Sequence, residues 1–162
     1  MAIFQKQGCI FYTNDEELSI LEDEVFGNFG LLRNHPRLGK ELIYLEFNKY
    51  GKVKDKRNWC KNKRNSTLIS PKIYKYNNKY YVAFAEREVD KNSSNIRSKV
   101  WLKIFNSKKD LKKCSYEKIY KTNSINNWDS GYPTILFEEE KSKLIWYGYD
   151  QNSSYLYISD FR

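Results

Sequence analysis

The amino-acid sequence predicts an all-β chain of short antiparallel meander sheets stacked face to face, and three observations carry that prediction. From residue 41 onward, runs of about six to eight apolar and aromatic residues recur, separated by Asn, Ser, Lys or Gly. Several of these runs are apolar on both faces of the strand. The pattern also repeats along the chain, at a period of about 55 to 60 residues.

The first 40 residues are expected to hold a strand, one helix and a loop. MAIFQKQGCIFYTN has no basic stretch followed by an apolar one, so no signal peptide is expected. TNDEELSILEDEVFG, residues 13–27, predicts the only helix, short and acidic. Leu18, Leu21 and Val25 are spaced i, i+3, i+7, Asn14 and Glu17 suit a capping box, and Asp15, Glu16 and Glu17 suit the positive end of the helix dipole. GNFGLLRNHPRLGK, with three glycines and a proline, reads as a loop.

Strands then follow one another: ELIYLEF, SPKIYKY, KYYVAFAE, SKVWLKIF, SYEKIYK, YPTILFE, KLIWYGY and SYLYIS. In KYYVAFAE, Tyr80, Val82 and Phe84 face one way, and Tyr81, Ala83 and Ala85 the other. Leu144 to Tyr149 is apolar on both faces in the same way. A sheet with one wet face would alternate polar with apolar residues, so these strands are expected to be covered on both sides. SPKIYKYNNKYYVAFAE aligns with YPTILFEEEKSKLIWYGY, placing Pro71 and Pro133 62 residues apart. IYLEFNKYGKVKDKRNW aligns more loosely with VWLKIFNSKKDLKKCSY. Four short strands per repeat is the pattern of a β-propeller blade. One domain over 1–162 is therefore expected, with residues 1–40 preceding about three blades in 41–162. The first blade is incomplete and the last lacks a fourth strand. Closing the ring would remove exposed edges, so a homo-oligomer that completes the propeller is expected.

WDSGYPTILFEEEKSKLIWYGYDQNSSYLYIS resembles a blade of the glycan-active β-propellers, the sialidase-like and arabinanase/xylosidase-like glycosidases. SPKIYKYNNKYYVAFAE followed by SKVWLKIFNSKKDLKKCSYEKIY resembles a preceding blade of the same kind. A sialidase resemblance implies three arginines clamping a carboxylate, a Tyr–Glu nucleophile pair and an acid. A xylosidase resemblance implies three carboxylates at the starts of inner strands. Here those starts carry Ser70 and Asp129, so only Asp129 matches in type.

Glycoside hydrolysis needs two carboxylates flanking the scissile bond. Asp129 with Glu86, or Glu88 beside it, is the pair on offer, against the simpler readings of an Asx turn at WDSGYP and a solvated strand end at AEREVD. Trp128 and Tyr132 are candidate platforms for a sugar ring or base, with Trp146 and Tyr149 as further aromatics; the alternative for all four is blade core. Arg33, His35 and Arg37, on the 27–40 loop, together with Arg87, suit a phosphate or carboxylate. His35 is the only histidine and the one group that titrates near neutral pH.

The chain carries a formal charge of +9, unevenly spread. Residues 1–26 hold six acids and one base, which leaves 28 bases against 14 acids in the remainder. Such a field draws anionic ligands, acidic glycans or nucleic acid. Lys49 to Arg64 concentrates eight bases with Tyr50 and Trp59 interleaved, a composition suited to single-stranded nucleic acid, against the simpler readings of a solvated outer strand and turn and of Trp59, like Trp101, as core. No Gly-rich phosphate loop, metal-ligand spacing or cofactor motif occurs, so neither metal nor cofactor is expected. No apolar run approaches the roughly 20 residues needed to span a bilayer, and no membrane partner is expected. Cys9, Cys60 and Cys114 lie far apart and are odd in number, which reads as free thiols in the cytoplasm. Two functions fit these features. One is a glycosidase-related domain binding an acidic or phosphorylated ligand, a glycan included. The other is an intracellular interaction protein that binds nucleic acid, a nucleotide or a protein through residues 49–64 and the 27–40 loop, without catalysis.

Overall fold

The computed structural model describes residues 2–6, 9–13, 18–23, 27–33, 42–60, 66–89, 96–115, 118–123, 130–149 and 153–162. Strands β1 (Ala2–Lys6) and β2 (Cys9–Thr13) pair as a hairpin. The first sheet follows, with β3 (Leu18–Asp23), β4 (Gly27–Arg33), β5 (Leu42–Phe47) and β6 (Val53–Trp59) in chain order. The central sheet holds β7 (Ser66–Tyr76), β8 (Lys79–Val89), β9 (Ile96–Phe105) and, after the short helix α1 (Lys108–Lys113), β10 (Lys118–Asn123). The last sheet is β11 (Ser130–Leu136), β12 (Ser142–Tyr149) and β13 (Ser154–Phe161). Every pairing among the described residues joins neighbours in the chain and is antiparallel, so the expectation of a mostly-β fold of meander sheets holds.

At the centre of the segment expected to be an acidic helix, a strand stands instead. Leu18–Asp23 is strand β3, paired with Gly27–Arg33, where the glycines and proline of the sequence suggest a loop. The spacing of Leu18, Leu21 and Val25 satisfies a helix locally, but tertiary burial overrides such a weak preference. Phe29 and Leu31 of β4 are fully buried in the core they share with the central sheet. Gly30 between them lets β3 and β4 approach. A Cβ there would overlap the Ser19 carbonyl oxygen on β3, so only glycine permits this pairing distance. Among the described residues the helix is α1, in a stretch whose sequence suggests a connection. Ser107 caps it, accepting the Asp110 N–H at 3.1 Å, and Cys114 ends it in the left-handed conformation.

The central sheet is covered on both faces. On one side Val82 and Phe84 pack with Phe29, Leu31, Leu42, Tyr44 and Trp59 of the first sheet. On the other, Ala83, Ala85, Val100 and Leu102 pack with Ile135, Leu144, Trp146 and Phe161 of the last sheet. This matches the two-faced reading of KYYVAFAE. Residues Leu42, Ile43, Tyr44 and Leu45 of β5 are all buried as well. Leu144 to Tyr149 departs from expectation: Leu144 and Trp146 are buried, whereas Tyr147 is exposed on the opposite face. Cross-strand pairing places Tyr147 beside Leu156 and Ile145 beside Ile158, and Leu156, Ile158 and Leu136 are all exposed.

The repeat seen in the sequence has a structural counterpart. In β7 the register against β8 slips by one residue between Ile69 and Lys72, and in β11 the register against β12 slips likewise between Gly131 and Thr134. Each slip is a β-bulge containing a proline, Pro71 or Pro133, whose missing N–H suits a place where the ladder is interrupted. The residue before each proline, Ser70 or Tyr132, has φ of 51° in both cases. The two bulges lie side by side. A Cβ on Gly131 would sit 3.7 Å from Ser70 Oγ, and Tyr74 and Thr134 hydroxyls are 2.9 Å apart, so β7 and β11 run in the same direction. On the other flank of β7, the Ile73 N–H donates to Ser19 Oγ of β3 at 3.1 Å.

Candidate functional site

The candidate residues that the structure describes lie mainly at the C-terminal end of β8. Glu86 is not a solvated strand end: it is 4% exposed and accepts the Trp101 indole N–H at 2.8 Å. It stands opposite Leu68 on β7 and Lys99 on β9, on the face of the central sheet that meets the first sheet. Strand alternation sends Arg87 to the opposite face, across from Thr67 and Ser98. Glu88 returns to the Glu86 face and forms an ion pair with Lys99 at 2.9 Å. The central sheet therefore presents one buried and one half-exposed carboxylate on the same edge of the same face. An acceptor held by an indole N–H inside a low-dielectric wall makes a rigid, oriented carboxylate.

Tyr132 is 69% exposed, so its ring is free to meet a ligand. Trp146 is core: it is buried and stacks on Tyr157 with 5.4 Å between centroids, and its indole nitrogen has no acceptor among the described residues. Arg33 ends β4. His35, Arg37, Trp128 and Asp129 lie outside the described residues, so the geometry of the proposed Asp129–Glu86 pair is described on the Glu86 side alone. Superposing the two bulges by their prolines does correct one correspondence. Ser70 matches Tyr132, and at the same offset Asp129 matches Thr67, a residue inside β7 rather than at an equivalent of Ser70.

The basic stretch 49–64 is described as far as residue 60. Lys52, just before β6, and Lys54 and Lys56 within it are exposed, and Lys49 sits over the exposed Tyr50 ring at 4.9 Å. Trp59 is not a stacking platform. It is fully buried, packs edge-on against Phe84 and donates its indole N–H to the Leu111 carbonyl at 2.7 Å. Asp55 of β6 turns instead to an ion network. Lys112 of α1 bonds Asp55 at 2.8 Å and Glu46 at 3.1 Å, Lys108 reaches Glu46 at 3.4 Å, and the Tyr44 hydroxyl donates to Glu46 at 2.9 Å. Burial alone would raise the Glu46 carboxyl, but the bonds from Lys112 and Tyr44 and the charges of Lys108 and Lys112 hold it below its ordinary range. The Lys112 hydrogen bond lowers Asp55, and Asp55 in turn raises Lys112. Burial raises the Tyr44 phenol, and its bond to the Glu46 carboxylate adds to this. The network anchors α1 to the first sheet.

Sequence reading missed one grouping altogether. Cys60, just past β6, and Cys114, at the end of α1, are joined in a disulfide with Cα atoms 5.4 Å apart. Free thiols at these two positions are therefore overturned. Their separation of 54 residues carried no signal, because the pairing depends on where α1 docks. Lys103 of β9 lies beside them, its Nζ 3.4 Å from Cys60 Sγ and 3.7 Å from Cys114 Sγ. Burial lowers the Lys103 ammonium, while the Glu86 carboxylate acts in the opposite sense. Among the described residues, no group of three or more His, Cys, Asp or Glu could hold a metal ion.

No protein-family model matches the chain, and no curated protein matches it at a significant level.

Proposed function

We propose that the chain is a glycosidase-related, propeller-type domain that binds an acidic or phosphorylated ligand, a glycan among them. The observation that supports this reading most is the relation between β7 and β11. Each opens a meander sheet, the two run in the same direction side by side, and both carry the same proline bulge. Innermost strands of neighbouring blades are related in this way. In such a ring the exposed face of the last sheet would meet another blade, and a second copy of the chain supplies one. The surplus of basic residues after position 26 suits an anionic ligand, with Glu86, Arg87 and Tyr132 as its described contacts and Arg33, His35, Arg37, Trp128 and Asp129 as further candidates. Asp129 and Glu86 would be the carboxylates of any hydrolysis.

A glycan array together with fluorogenic sialosides, arabinosides and xylosides tests the ligand class. Binding of acidic glycans that Arg87→Ala weakens supports the reading, and a blank array and panel remove it. Light scattering tests the ring, since a monomer at micromolar concentration removes the second copy.

One observation favours the interaction-protein reading: the exposed lysines Lys52, Lys54 and Lys56 at and beside the start of β6. Affinity for a single-stranded oligonucleotide that falls steeply with salt would support it. The cytoplasmic setting proposed with that reading has lost the ground that free thiols gave it, because the Cys60–Cys114 disulfide fits an oxidising compartment better.

A further inference from the structure

Beyond the ligand-binding reading, a second site stands out at the junction of β6, β9 and α1. Cys60 and Cys114 are both half-buried and pack against the core shared by the first and central sheets. Lys103 brings its ammonium to both sulfurs, nearer to Cys60, and the same ammonium lies 5.7 Å from the Trp59 ring centre and 5.6 Å from that of Phe84. A cation at this distance stabilises a thiolate over a thiol, and a stabilised thiolate is a good leaving group in disulfide exchange. A second observation points the same way. Both half-cystines occupy the left-handed region, with φ of 56° at each, a conformation unfavourable for an L-residue with a side chain.

We infer that Cys60–Cys114, with Lys103 beside it, is a thiol–disulfide exchange site whose co-reactant is a low-molecular-weight thiol. A thiolate of that co-reactant attacks Cys114 Sγ. The S–S bond breaks, its electron pair leaves on Cys60 Sγ, and Lys103 stabilises the Cys60 thiolate while a mixed disulfide holds Cys114. A second thiolate attacks the outer sulfur of the mixed disulfide and releases Cys114. Two thiols have become one small-molecule disulfide, two electrons have passed to the protein, and the two protons end on the released cysteines or, for a cysteine kept as thiolate, in water.

The fold survives the opening. α1 remains tied to the first sheet by the Trp59–Leu111 hydrogen bond and by the Lys108 and Lys112 ion pairs with Glu46 and Asp55. Glu86 of β8 acts electrostatically on Lys103, and among the described residues Lys103 is the group whose nitrogen lies at both sulfurs.

The test is equilibration of the folded, full-length protein with graded mixtures of reduced and oxidised glutathione, quenching by alkylation and peptide mapping that separates Cys9. The expected result is opening of the bond without denaturant. Lys103→Met should move the equilibrium about tenfold toward the disulfide, the equivalent of one unit of thiol pKa, and Lys103→Arg should restore it. A bond that opens only in denaturant, or a Lys103→Met protein that exchanges like the parent, overturns the inference. If Lys103→Met does not fold, Cys114→Ser answers the same question. Cys60 alkylation should then titrate below the ordinary thiol range of about 8.5, and an ordinary titration overturns the inference.

Discussion

The central and last sheets share a strand order, a bulge and a proline, yet they differ in what covers them. The central sheet is closed on both faces, and its β8 carries apolar side chains at consecutive positions with almost no exposure. The last sheet is closed on one face only. Its open face carries Leu136, Tyr147, Leu156 and Ile158, and β13, the edge strand of this sheet among the described residues, has neither lysine nor proline to discourage pairing. The same local pattern of residues thus leads to two environments, and the difference lies in the neighbours rather than in the strands.

The largest expected effect comes from the closed sheet. Leu102→Ala, which removes a fully buried β9 side chain from the core shared with the last sheet, should cost about 2–5 kcal/mol in urea unfolding. Leu156→Ala on the open face should change monomer stability by less than about 0.5 kcal/mol. Equal effects would mean that the open face is covered in solution. Next, Ile158→Lys should leave the urea midpoint nearly unchanged but abolish any concentration-dependent mass in light scattering. Failure to change an observed oligomer would move the interface elsewhere.

A smaller effect is expected at Glu86. Glu86→Ala leaves the Trp101 indole N–H without its acceptor and should cost about 1–3 kcal/mol, whereas Glu86→Gln retains an acceptor and should cost less. The twin bulges should respond differently to glycine. Tyr132→Gly relieves a left-handed residue at an exposed site and should stabilise by about 1 kcal/mol, while Ser70→Gly removes a buried side chain and should gain nothing, as thermal melts would show. The smallest effect is the acid dependence of the α1 anchor. Glu46 and Asp55 are held below their ordinary values, so their contribution is present above about pH 4 and is lost as pH falls further. Lys112→Met should flatten that loss in acid titration followed by circular dichroism.

The strands were legible because their signals are local. KYYVAFAE announced two covered faces, and Pro71 and Pro133 announced a repeat that the bulges bear out. The N-terminal region was misread because LSILED satisfies both a helical and an extended pattern, and only pairing with β4 across Gly30 decides between them. α1 carried a sequence signal, Ser107 three residues before Asp110, in a stretch too short for apolar periodicity to mark. For the site, Glu86 was visible as a carboxylate, but its burial under Trp101 was not, since strand register sets that contact. The disulfide was illegible for a related reason: its two cysteines approach only once helix and sheet have docked.

The paired bulges also govern phase. Before the bulge Leu68 faces the first sheet and Ile69 the last; after it Ile73 faces the first sheet, although it shares odd parity with Ile69. The extra residue therefore works as a half-step that inverts the alternation midway along the strand. Deleting one residue at Ser70 would not simply straighten β7. It would turn the following half of the strand inside out, exchanging Ile73 with Lys72 and Tyr74 between faces. Chain length at this point is thus as strictly fixed as side-chain identity, and a relative of this chain should keep its residue count here even where the residues themselves have changed.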